Sequence, residues 1–331
     1  MYNVAVIGAT GAVGQKMIDV LTEYEFPINE LLLYASARSA GKTVEVNGRD
    51  IVIRELSDAI YADAIDIALF SAGGSISEQY APRLSEQGVI VIDNSSAFRM
   101  QAGIPLVVPE VNRVELGPDK MLIANPNCST IQSVVALAPL AEVYGLTRVA
   151  YTSYQAVSGS GQKGIEDLER GARGEEPQNY PYPIYDNVLP HIDVFLENGY
   201  TKEEQKMIDE TRKILNAPEL GVTATCVRVP VRNSHAVSIT VTLEREATLA
   251  EVKAVLSDAP GVVLMDNPSE LVYPTPLDAN GTDEVYVGRV RRDESQPNTF
   301  HLWCVADNVR KGAAANAVQI AQCMIGQVAT K

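Results

Sequence analysis

A glycine-rich turn close to the start of the chain restricts its fold more than any other feature. The turn, Gly8–Gly14 (GATGAVG), follows the apolar run Val4–Ile7 and opens an amphipathic helical pattern. Glycines let the backbone approach a pyrophosphate, and the helix N-terminus offers it free N–H groups. The spacing is G-x-x-G-x-x-G and not the G-x-G-x-x-G fingerprint of dinucleotide sites. The prediction of a dinucleotide site therefore depends on the position of this turn between a strand and a helix. A plain glycine-rich turn is the alternative. The predicted cofactor contacts in this turn are Gly8, Thr10, Gly11, Ala12 and Val13.

The residues after the second predicted strand indicate which dinucleotide binds. Enzymes that prefer NAD usually carry an acidic residue there, about 20 residues after the turn. In this chain the strand Leu31–Ala35 leads into SARSAGK, which contains no acid. A guanidinium and a hydroxyl suit a 2′-phosphate, so Arg38 and Ser39 predict that the cofactor is NADP. The alternative is a solvated basic loop.

The 331 residues are enough for two domains. Up to about residue 127, short apolar runs alternate with helical patterns, which is typical of a Rossmann-type, doubly wound parallel sheet. Beyond it the strand candidates are longer and several alternate, as in Val237–Thr242. This indicates an α+β domain with a mixed or antiparallel sheet that has one solvated face. We expect residues 1–127 and a C-terminal helix at about 308–331 to form the nucleotide-binding domain, and residues 128–307 to form the second domain.

The pattern predicts the following elements along the chain. Strands are expected at 4–7, 31–35, 65–71, 89–93, 121–124, 149–156, 223–231, 237–243, 285–291 and 300–306. Helices are expected at about 13–24, 76–87, from 129 onward, and at 164–171, 201–215, 248–257 and 310–327. The Pro-rich stretch Glu175–Pro190 is expected to be irregular, either as a dimer contact or as a plain surface loop.

Composition and charge exclude several classes of protein. The net charge of −15, without a basic stripe, argues against a nucleic-acid partner and against an anionic membrane surface. No run reaches the roughly 18 apolar residues of a membrane span, and the first residues have no basic region of a signal peptide. A cytoplasmic location is therefore expected. The scattered cysteines and histidines lack zinc spacing, so we predict free thiols and no metal site.

One cysteine stands where a nucleophile would be expected. In Ala124-Asn125-Pro126-Asn127-Cys128-Ser129, Pro126 stops any earlier element and Asn127 is a good helix N-cap. Cys128 then lies in the first helical turn, where the dipole and backbone N–H groups favour the thiolate and could hold an oxyanion. The remaining cysteines lie inside apolar patterns and are interpreted as core residues.

A thiol nucleophile requires a base, and His235 is the best candidate of the three histidines. It follows a turn at the end of a predicted strand, in RVPVRNSH. His301 lies within an apolar strand pattern and His191 in the Pro-rich region, so both are expected to be structural.

The chain resembles the aspartate-semialdehyde dehydrogenase family from the first strand to the last helix. The resemblance rests on these segments: GATGAVG (8–14), ASARSAGK (35–42), DNSSAFR (93–99), VPEVN (108–112), NPNCST (125–130), YQAVSGSG (154–161), RVPVRNSH (228–235) and DNVRK (307–311).

This resemblance implies the reaction L-aspartyl-4-phosphate + NADPH → L-aspartate 4-semialdehyde + NADP + phosphate, through a cysteine thioester. The reaction serves the biosynthesis of lysine, threonine, methionine and diaminopimelate. The second domain would be catalytic and would form a homodimer or homotetramer, with small molecules as the other partners. The final helix would pack on the NADP-binding domain.

The resemblance also implies residue roles. Cys128 would be the nucleophile, His235 the acid/base and Gln155 the residue that orients the substrate. Carboxylate and phosphate binding would fall to Arg228, Arg99 and Asn127, and further cofactor contacts to Ser158, Gly159 and Asn308. In isolation, Arg228 could be an exposed strand residue, Gln155 a strand-end cap and Arg99 a solvated side chain.

A possible Glu–Lys pair follows a T-x-x-E capping box formed by Thr201 and Glu204. Glu203 and Lys206 are three residues apart on one helix face. A surface ion pair is the simple interpretation, whereas the resemblance places Glu203 on the substrate amino group and Lys206 on phosphate.

Two other functions remain open at this point. An N-acetyl-glutamyl-phosphate reductase uses the same thioester chemistry, but its acylated substrate lacks the cation that Glu203 would pair with. A catalytically silent, regulatory NADP-binding protein would be expected to lack Cys128 or His235, and both are present.

Overall fold

The buried run Val4–Ile7 lies in β1 (Tyr2–Ile7), the middle strand of the first of two units. The structure is a computed structural model that describes residues 1–326. In it the first unit comprises residues 1–126 and 313–326, and the second comprises residues 127–312.

The elements of the first unit alternate between strands and helices. After β1 the strands are β2 (Ile28–Ala35), β3 (Thr43–Val46), β4 (Arg49–Glu55), β5 (Ile67–Phe70), β6 (Ile90–Asp93) and β7 (Leu122–Ala124). The helices are α1 (Ala12–Glu23), α2 (Gly74–Glu86) and α3 (Pro109–Asn112), with 3₁₀ turns at Asp58–Ala62 and Arg113–Glu115.

These strands form one sheet in the order β3-β4-β2-β1-β5-β6-β7. All neighbours are parallel except β3 and β4, which form a hairpin. The predicted doubly wound parallel sheet is therefore confirmed. Since β2 and β5 flank β1 on opposite sides, the strand order reverses at the carboxyl end of β1, where ligands bind in open α/β sheets.

The second unit is built on longer strands. Its helices are α4 (Cys128–Tyr144), α5 (Gln162–Ala172), α6 (Lys202–Ile214), α7 (Leu249–Ser257) and α8 (Pro276–Ala279). Its strands are β8 (Leu146–Gln155), β9 (Gly221–Arg228), β10 (His235–Leu243), β11 (Val262–Leu264), β12 (Val285–Arg292) and β13 (Thr299–Ala306), with 3₁₀ turns at Val157–Ser160 and Pro268–Glu270.

The sheet of this unit is mixed, as predicted, with the order β11-β12-β13-β10-β8-β9. Its central pairs are antiparallel, and the β8–β9 and β11–β12 pairs are parallel. α4 packs on the sheet, and α6 packs on β9 and on α4. From Val237 to Leu243, residues of β10 alternate between buried and half-buried, because only one face of this part of the strand is fully covered.

The last described residues, 313–326, belong to the first unit. A π-helical turn at Arg310–Ala314 leads into α9 (Ala315–Met324), whose buried Val318 and Ile320 pack in the same core as Met17 of α1. Residues 327–331, the end of the predicted last helix, lie outside the described residues. Within residues 1–326, no helix is long and apolar enough to cross a membrane.

Candidate active site

Cys128 is the first residue of α4, and Asn127 is its N-cap, as predicted. The Oδ1 of Asn127 accepts hydrogen bonds from the backbone N–H groups of Ser129 at 2.9 Å and Thr130 at 3.3 Å. Cys128 is half-buried. Its thiol therefore stands at the N-terminus of a 17-residue helix, where the helix dipole favours the thiolate.

Two buried glutamates of α6 hold the N-cap residue. The backbone N–H of Asn127 donates to Glu210 Oε2 at 2.6 Å, and its side-chain Nδ2 donates to Glu203 Oε1 at 2.8 Å. Glu203 and Glu210 are seven residues apart and lie on one face of the helix. The turn that carries Cys128 is thus fixed from a neighbouring helix.

Glu203 also forms the predicted pair with Lys206, whose Nζ lies 3.2 Å from Glu203 Oε2 and 2.8 Å from Asp193 Oδ2. The side chains of Glu203 and Lys206 are 8% and 20% exposed, so this i,i+3 ion pair is formed by one buried and one half-buried side chain. Burial lowers the pKa of Lys206, but Glu203 and Asp193 outweigh it and raise the pKa above its usual value. Lys206 is therefore a cation at neutral pH.

Gln155 and Arg228 are paired residues at the carboxyl ends of β8 and β9. Gln155 is 1% exposed and its Nε2 donates to Glu203 Oε1 at 3.3 Å. Arg228 is 4% exposed, and its Nη1 donates to the carbonyl of Ala156 at 2.8 Å. Neither the exposed-strand interpretation of Arg228 nor a mere strand-end cap at Gln155 fits this burial and bonding.

His235 is the first residue of β10 and is fully buried. Its Nδ1 accepts a hydrogen bond from the backbone N–H of Ala156 at 3.0 Å, and its carbonyl accepts one from Gln132 Nε2 at 3.3 Å. Gln132 follows Cys128 by one turn of α4, so His235 lies beside the helix that carries the thiol. Burial, and then the Arg228 cation, lower the pKa of His235 well below its usual value.

The three cofactor candidates of the second unit lie next to this histidine. Asn308 accepts from the backbone N–H of Ser234 at 2.9 Å, and its Nδ2 donates to Ser158 Oγ at 2.9 Å. Gly159 leaves room beside two site residues, because a Cβ there would lie 2.7 Å from Arg228 Nη1 and 3.2 Å from His235 Nε2.

The candidates for dinucleotide binding in the first unit lie at the carboxyl ends of β1 and β2. Gly8 has a φ of +92°, and a Cβ there would lie 2.8 Å from the carbonyl carbon of Ser71. Gly11 is the N-cap of α1 without a side-chain cap, and Thr10, Gly11 and Ala12 are exposed while Val13 is half-buried. The first-turn N–H groups of α1 thus face an open surface, which fits a pyrophosphate.

The turn after β2 carries Arg38 and Ser39. Arg38 is exposed, whereas Ser39 is 8% exposed and its backbone N–H donates to the carbonyl of Ser36 at 2.8 Å. An exposed guanidinium and a buried serine held by its backbone at this strand end fit an added phosphate group.

Arg99 belongs to the first unit and is 7% exposed, so it is not a solvated side chain. Its Nε donates to the carbonyl of Asn125 and its Nη2 to the carbonyl of Asn94, both at 2.9 Å. Both carbonyls follow the carboxyl ends of parallel strands, β7 and β6. The guanidinium is thus fixed by backbone groups at the edge of the sheet where ligands bind.

Two family models match this chain. The semialdehyde dehydrogenase NAD binding domain matches residues 3–117, and the semialdehyde dehydrogenase dimerisation domain matches residues 137–311. The aspartate-semialdehyde dehydrogenase of Aquifex aeolicus (strain VF5) is 50% identical over 333 residues, which cover 98% of each chain. The chain belongs to the aspartate-semialdehyde dehydrogenase family. The resemblance found in its sequence is confirmed, and membership makes it an oxidoreductase.

Solved structures of aspartate-semialdehyde dehydrogenases share its fold. The crystal structure of aspartate semialdehyde dehydrogenase II from Vibrio cholerae, complexed with ASA, has a TM-score of 0.94 and 46% sequence identity, and covers 98% of both chains. The crystal structure of the enzyme from Candida albicans with NADP has a TM-score of 0.77 and 25% identity, and covers 99% of both chains.

Cys226 and Cys304 are buried core residues, as predicted, whereas Cys323 is half-buried, and His191 and His301 lie outside the site. Burial raises the pKa of the Cys226 and Cys304 thiols well above its usual value. His301 bonds to Thr240 Oγ1 at 3.0 Å, and His191 stacks on Phe195 with ring centroids 4.5 Å apart.

Sequence reasoning missed two positions of this site. Glu210 supports Asn127 from 83 residues away, and only its i+7 spacing from Glu203 on one helix could have pointed to it. Gly312 passes so close to the nucleophile that a Cβ there would lie 2.8 Å from Cys128 Cβ. The glycine in RKGAA was visible in the sequence, but its contact was not.

Proposed function

We propose that this protein is an NADP-dependent aspartate-semialdehyde dehydrogenase that acts through a thioester at Cys128. It reduces L-aspartyl-4-phosphate to L-aspartate 4-semialdehyde and releases phosphate, a step in the biosynthesis of lysine, threonine, methionine and diaminopimelate. The observation that carries the proposal is the set of hydrogen bonds that links the N-cap of the Cys128 helix to Gln155 through Glu203, next to the buried Arg228 and His235.

Cys128 has the role of nucleophile. In the direction of acyl-phosphate reduction, its thiolate attacks the acyl carbon, the C–O bond to phosphate breaks and a thioester forms. The positive end of the α4 dipole stabilises negative charge at the reacting centre. Asn127 keeps this helix end and the thiol in place, because it is bonded from both its main chain and its side chain.

The charged residues of the second unit match the charges of an aspartyl substrate. Arg228 suits the α-carboxylate, because a guanidinium grips a carboxylate with two parallel hydrogen bonds. Glu203 suits the α-ammonium, and Gln155, bonded to Glu203, orients the side chain that reacts. Lys206 and Asn127 of the second unit, and Arg99 of the first, are the residues proposed to bind phosphate. Such local cations are needed because the chain carries a net charge of −15.

The first unit binds the dinucleotide, and the second carries the chemistry and the dimer contact. The turn Gly8–Val13 would hold the pyrophosphate, and Arg38 and Ser39 would hold the 2′-phosphate that distinguishes NADP from NAD. When bound, NADP supplies the hydride chemistry. Ser158, Gly159 and Asn308 of the second unit would be further contacts of the cofactor.

The working form of the enzyme is a homodimer or homotetramer in the cytoplasm. The match of residues 137–311 to a dimerisation domain supports self-association. A reducing compartment is needed because catalysis depends on a free thiol, and the cytosol keeps thiols reduced.

The test is an absorbance assay in which both the aldehyde substrate and the presence of phosphate are varied. Purified protein is mixed with NADP, phosphate and L-aspartate 4-semialdehyde, and formation of NADPH is followed by absorbance. N-acetyl-glutamate semialdehyde is used in parallel, and each reaction is repeated without phosphate. Phosphate-dependent NADPH formation with the aspartate compound alone is expected. A response only to the acetylated compound would assign an N-acetyl-glutamyl-phosphate reductase instead, and no response with either, despite NADPH binding, would indicate a non-catalytic protein.

A further inference from the structure

We propose that Asp167 is a positioning residue: its buried carboxylate orders the arm, residues 178–189, and the arm holds two segments of the site. These segments are the turn Val157–Ser160 and the end of β9 at Arg228. The inference rests on the proposed function for the roles of the two segments in binding substrate and cofactor. The contacts that link them to Asp167 all lie within the second unit.

The carboxylate of Asp167 binds the start of the arm. Asp167 lies in α5 and is 1% exposed. Three successive backbone N–H groups donate to it at 2.8 Å, those of Gln178, Asn179 and Tyr180. The side-chain Nδ2 of Asn179 donates as well, at 3.1 Å. Residues 178–189 form neither a helix nor a strand, so these bonds replace those that regular structure would supply.

The side chain of Asp167 is an anion at neutral pH. Burial raises its pKa, but the backbone N–H groups of the arm and the amide of Asn179 outweigh burial and hold the pKa below its usual value. A carboxylate has lone pairs for all four of these donors, whereas the amide of an asparagine has one oxygen and turns its own N–H groups toward the rest. The charge and shape of this side chain are therefore both needed to order the arm.

The first end of the arm contacts the turn Val157–Ser160. Tyr180 Oη donates to Ser160 Oγ at 2.9 Å. Gly164 of α5 makes this approach possible, because a Cβ there would lie 2.6 Å from Tyr180 Oη. The turn contains Ser158 and Gly159, which are proposed contacts of the cofactor. The bonds of Asp167 to the backbone of Tyr180 therefore help to place these two residues.

The other end of the arm pairs with the end of β9. The backbone N–H of Leu189 donates to the carbonyl of Arg228 at 2.9 Å, and that of Arg228 donates to the carbonyl of Leu189 at 2.8 Å. Leu189 is 5% exposed and lies in one apolar cluster with Ile184 and Val157. This pairing fixes the backbone of the residue whose guanidinium is proposed to bind the substrate carboxylate.

The two segments are close neighbours. Gly159 lies in the turn, and a Cβ there would lie 2.7 Å from Arg228 Nη1. Protein interiors are packed too closely for such a contact to absorb a displacement. A shift of the arm would therefore disturb both segments, and Asp167 acts on substrate and cofactor binding through the arm.

The first test compares Asp167→Asn with a matched control, Asp266→Asn. The side chain of Asp266 is also 0% exposed, and it accepts from the backbone N–H groups of Arg289 and Val290. Both variants should lower Tm. Only Asp167→Asn should raise the KM for L-aspartate 4-semialdehyde and the Kd for NADPH, each about tenfold, with a smaller change in kcat. Unchanged values in Asp167→Asn, or equal increases in both variants, would overturn the inference.

The second test uses Tyr180→Phe, which removes the hydroxyl group that bonds to Ser160 and keeps the ring. We expect it to raise the Kd for NADPH about threefold and to leave the KM for the aldehyde unchanged, because the pairing of Leu189 with Arg228 is preserved. Tyr182→Phe, at a 66% exposed position of the arm, is the control and should change neither value. An unchanged Kd in Tyr180→Phe would overturn the proposed action through the turn.

The third test is hydrogen exchange read by mass spectrometry, which does not depend on turnover. In Asp167→Asn, the amides of residues 178–180, of the turn Val157–Ser160 and of Leu189 should exchange about tenfold faster than in wild type. Faster exchange confined to residues 178–180 would overturn the inference. Wild-type protein without activity would count against the proposed function, whereas the exchange pattern and the Kd for NADPH would still decide the role of Asp167.

Discussion

The backbone N–H of Asn127 donates to the Oε2 of Glu210 at 2.6 Å, so a residue of α6 directly positions the turn that carries Cys128. Glu203, on the same face of α6, accepts a hydrogen bond from the side chain of the same asparagine at 2.8 Å. Removal of Glu210 would leave a buried donor without its acceptor, which is costly inside a protein. Placement of the thiol therefore depends on contacts between α4 and α6 as well as on its own helix.

Glu210→Gln is expected to lower kcat/KM about tenfold, because a charge-assisted hydrogen bond becomes a neutral one. The rate at which iodoacetamide alkylates Cys128 should fall as well, measured in a Cys323→Ser background since Cys323 is also half-buried. Glu204→Gln is the matched control. This glutamate is buried on the same helix but bonds to the N–H groups of Thr201 and Cys226. The Glu204→Gln variant should lower Tm without changing the alkylation rate of Cys128. An equal decrease of that rate in both variants would refute a specific role for Glu210.

Lys206→Ala is expected to raise the KM for phosphate about tenfold, with a smaller effect on kcat, because a half-buried cation is lost from the proposed phosphate site. The control is Lys253→Ala, which breaks a comparable pair with the buried Asp266 at 2.7 Å. If the KM for phosphate is unchanged in Lys206→Ala, this lysine only supports Glu203 and Asp193. Steady-state kinetics with varied phosphate decides between these outcomes.

Arg38→Glu is expected to weaken NADPH binding by about 10- to 100-fold and to change NADH binding little, since only NADPH carries the 2′-phosphate. Arg49→Glu reverses a charge on an exposed residue of the nearby β4 and serves as the control. Fluorescence titration with both dinucleotides measures the effect. An equal loss for NADPH and NADH would remove Arg38 from the 2′-phosphate site.

His235 should make the protein sensitive to mild acid. In the unfolded chain a histidine binds a proton below about pH 6.5, whereas the folded protein keeps His235 neutral. The unfolded state therefore gains protons first, and the free energy of unfolding falls as pH drops below that value. Between about pH 7 and pH 5, Tm should fall less in His235→Gln than in wild type. His191→Gln, as control, should keep the wild-type slope, and identical slopes in all three would contradict the buried neutral state.

Local chemistry made much of the site predictable. An Asn before a Cys-Ser-Thr run indicated the N-cap and the place of Cys128, and the structure has both. The capping box of Thr201 and Glu204 predicted the start of α6 equally well. Such features depend on neighbours a few residues apart, which the sequence displays directly.

Contacts between distant segments could not be predicted in this way. Nothing in the sequence links Glu210 to Asn127 or Ala156 to His235, because those pairs meet only when α6 and β8 are in place. The hairpin of β3 and β4 was not predicted for a different reason. Its turn, Asn47-Gly48, has φ values of 51° and 73° and is a strong hairpin signal, but the interpretation followed only the alternation of helices and strands. The predicted strand 223–231 ends at Arg228, because Pro230 cannot donate to a sheet.

The central claim is that Cys128 carries the acyl group, and mass spectrometry after a reaction without phosphate tests it most directly. Protein, NADP and L-aspartate 4-semialdehyde are mixed, quenched in acid and digested. We expect one NADPH per active site, the aspartyl acyl group on the peptide that contains Cys128, and loss of that group when phosphate is added before the quench. NADPH formation with Cys128 unmodified, or with the acyl group on another residue, would contradict the thioester mechanism.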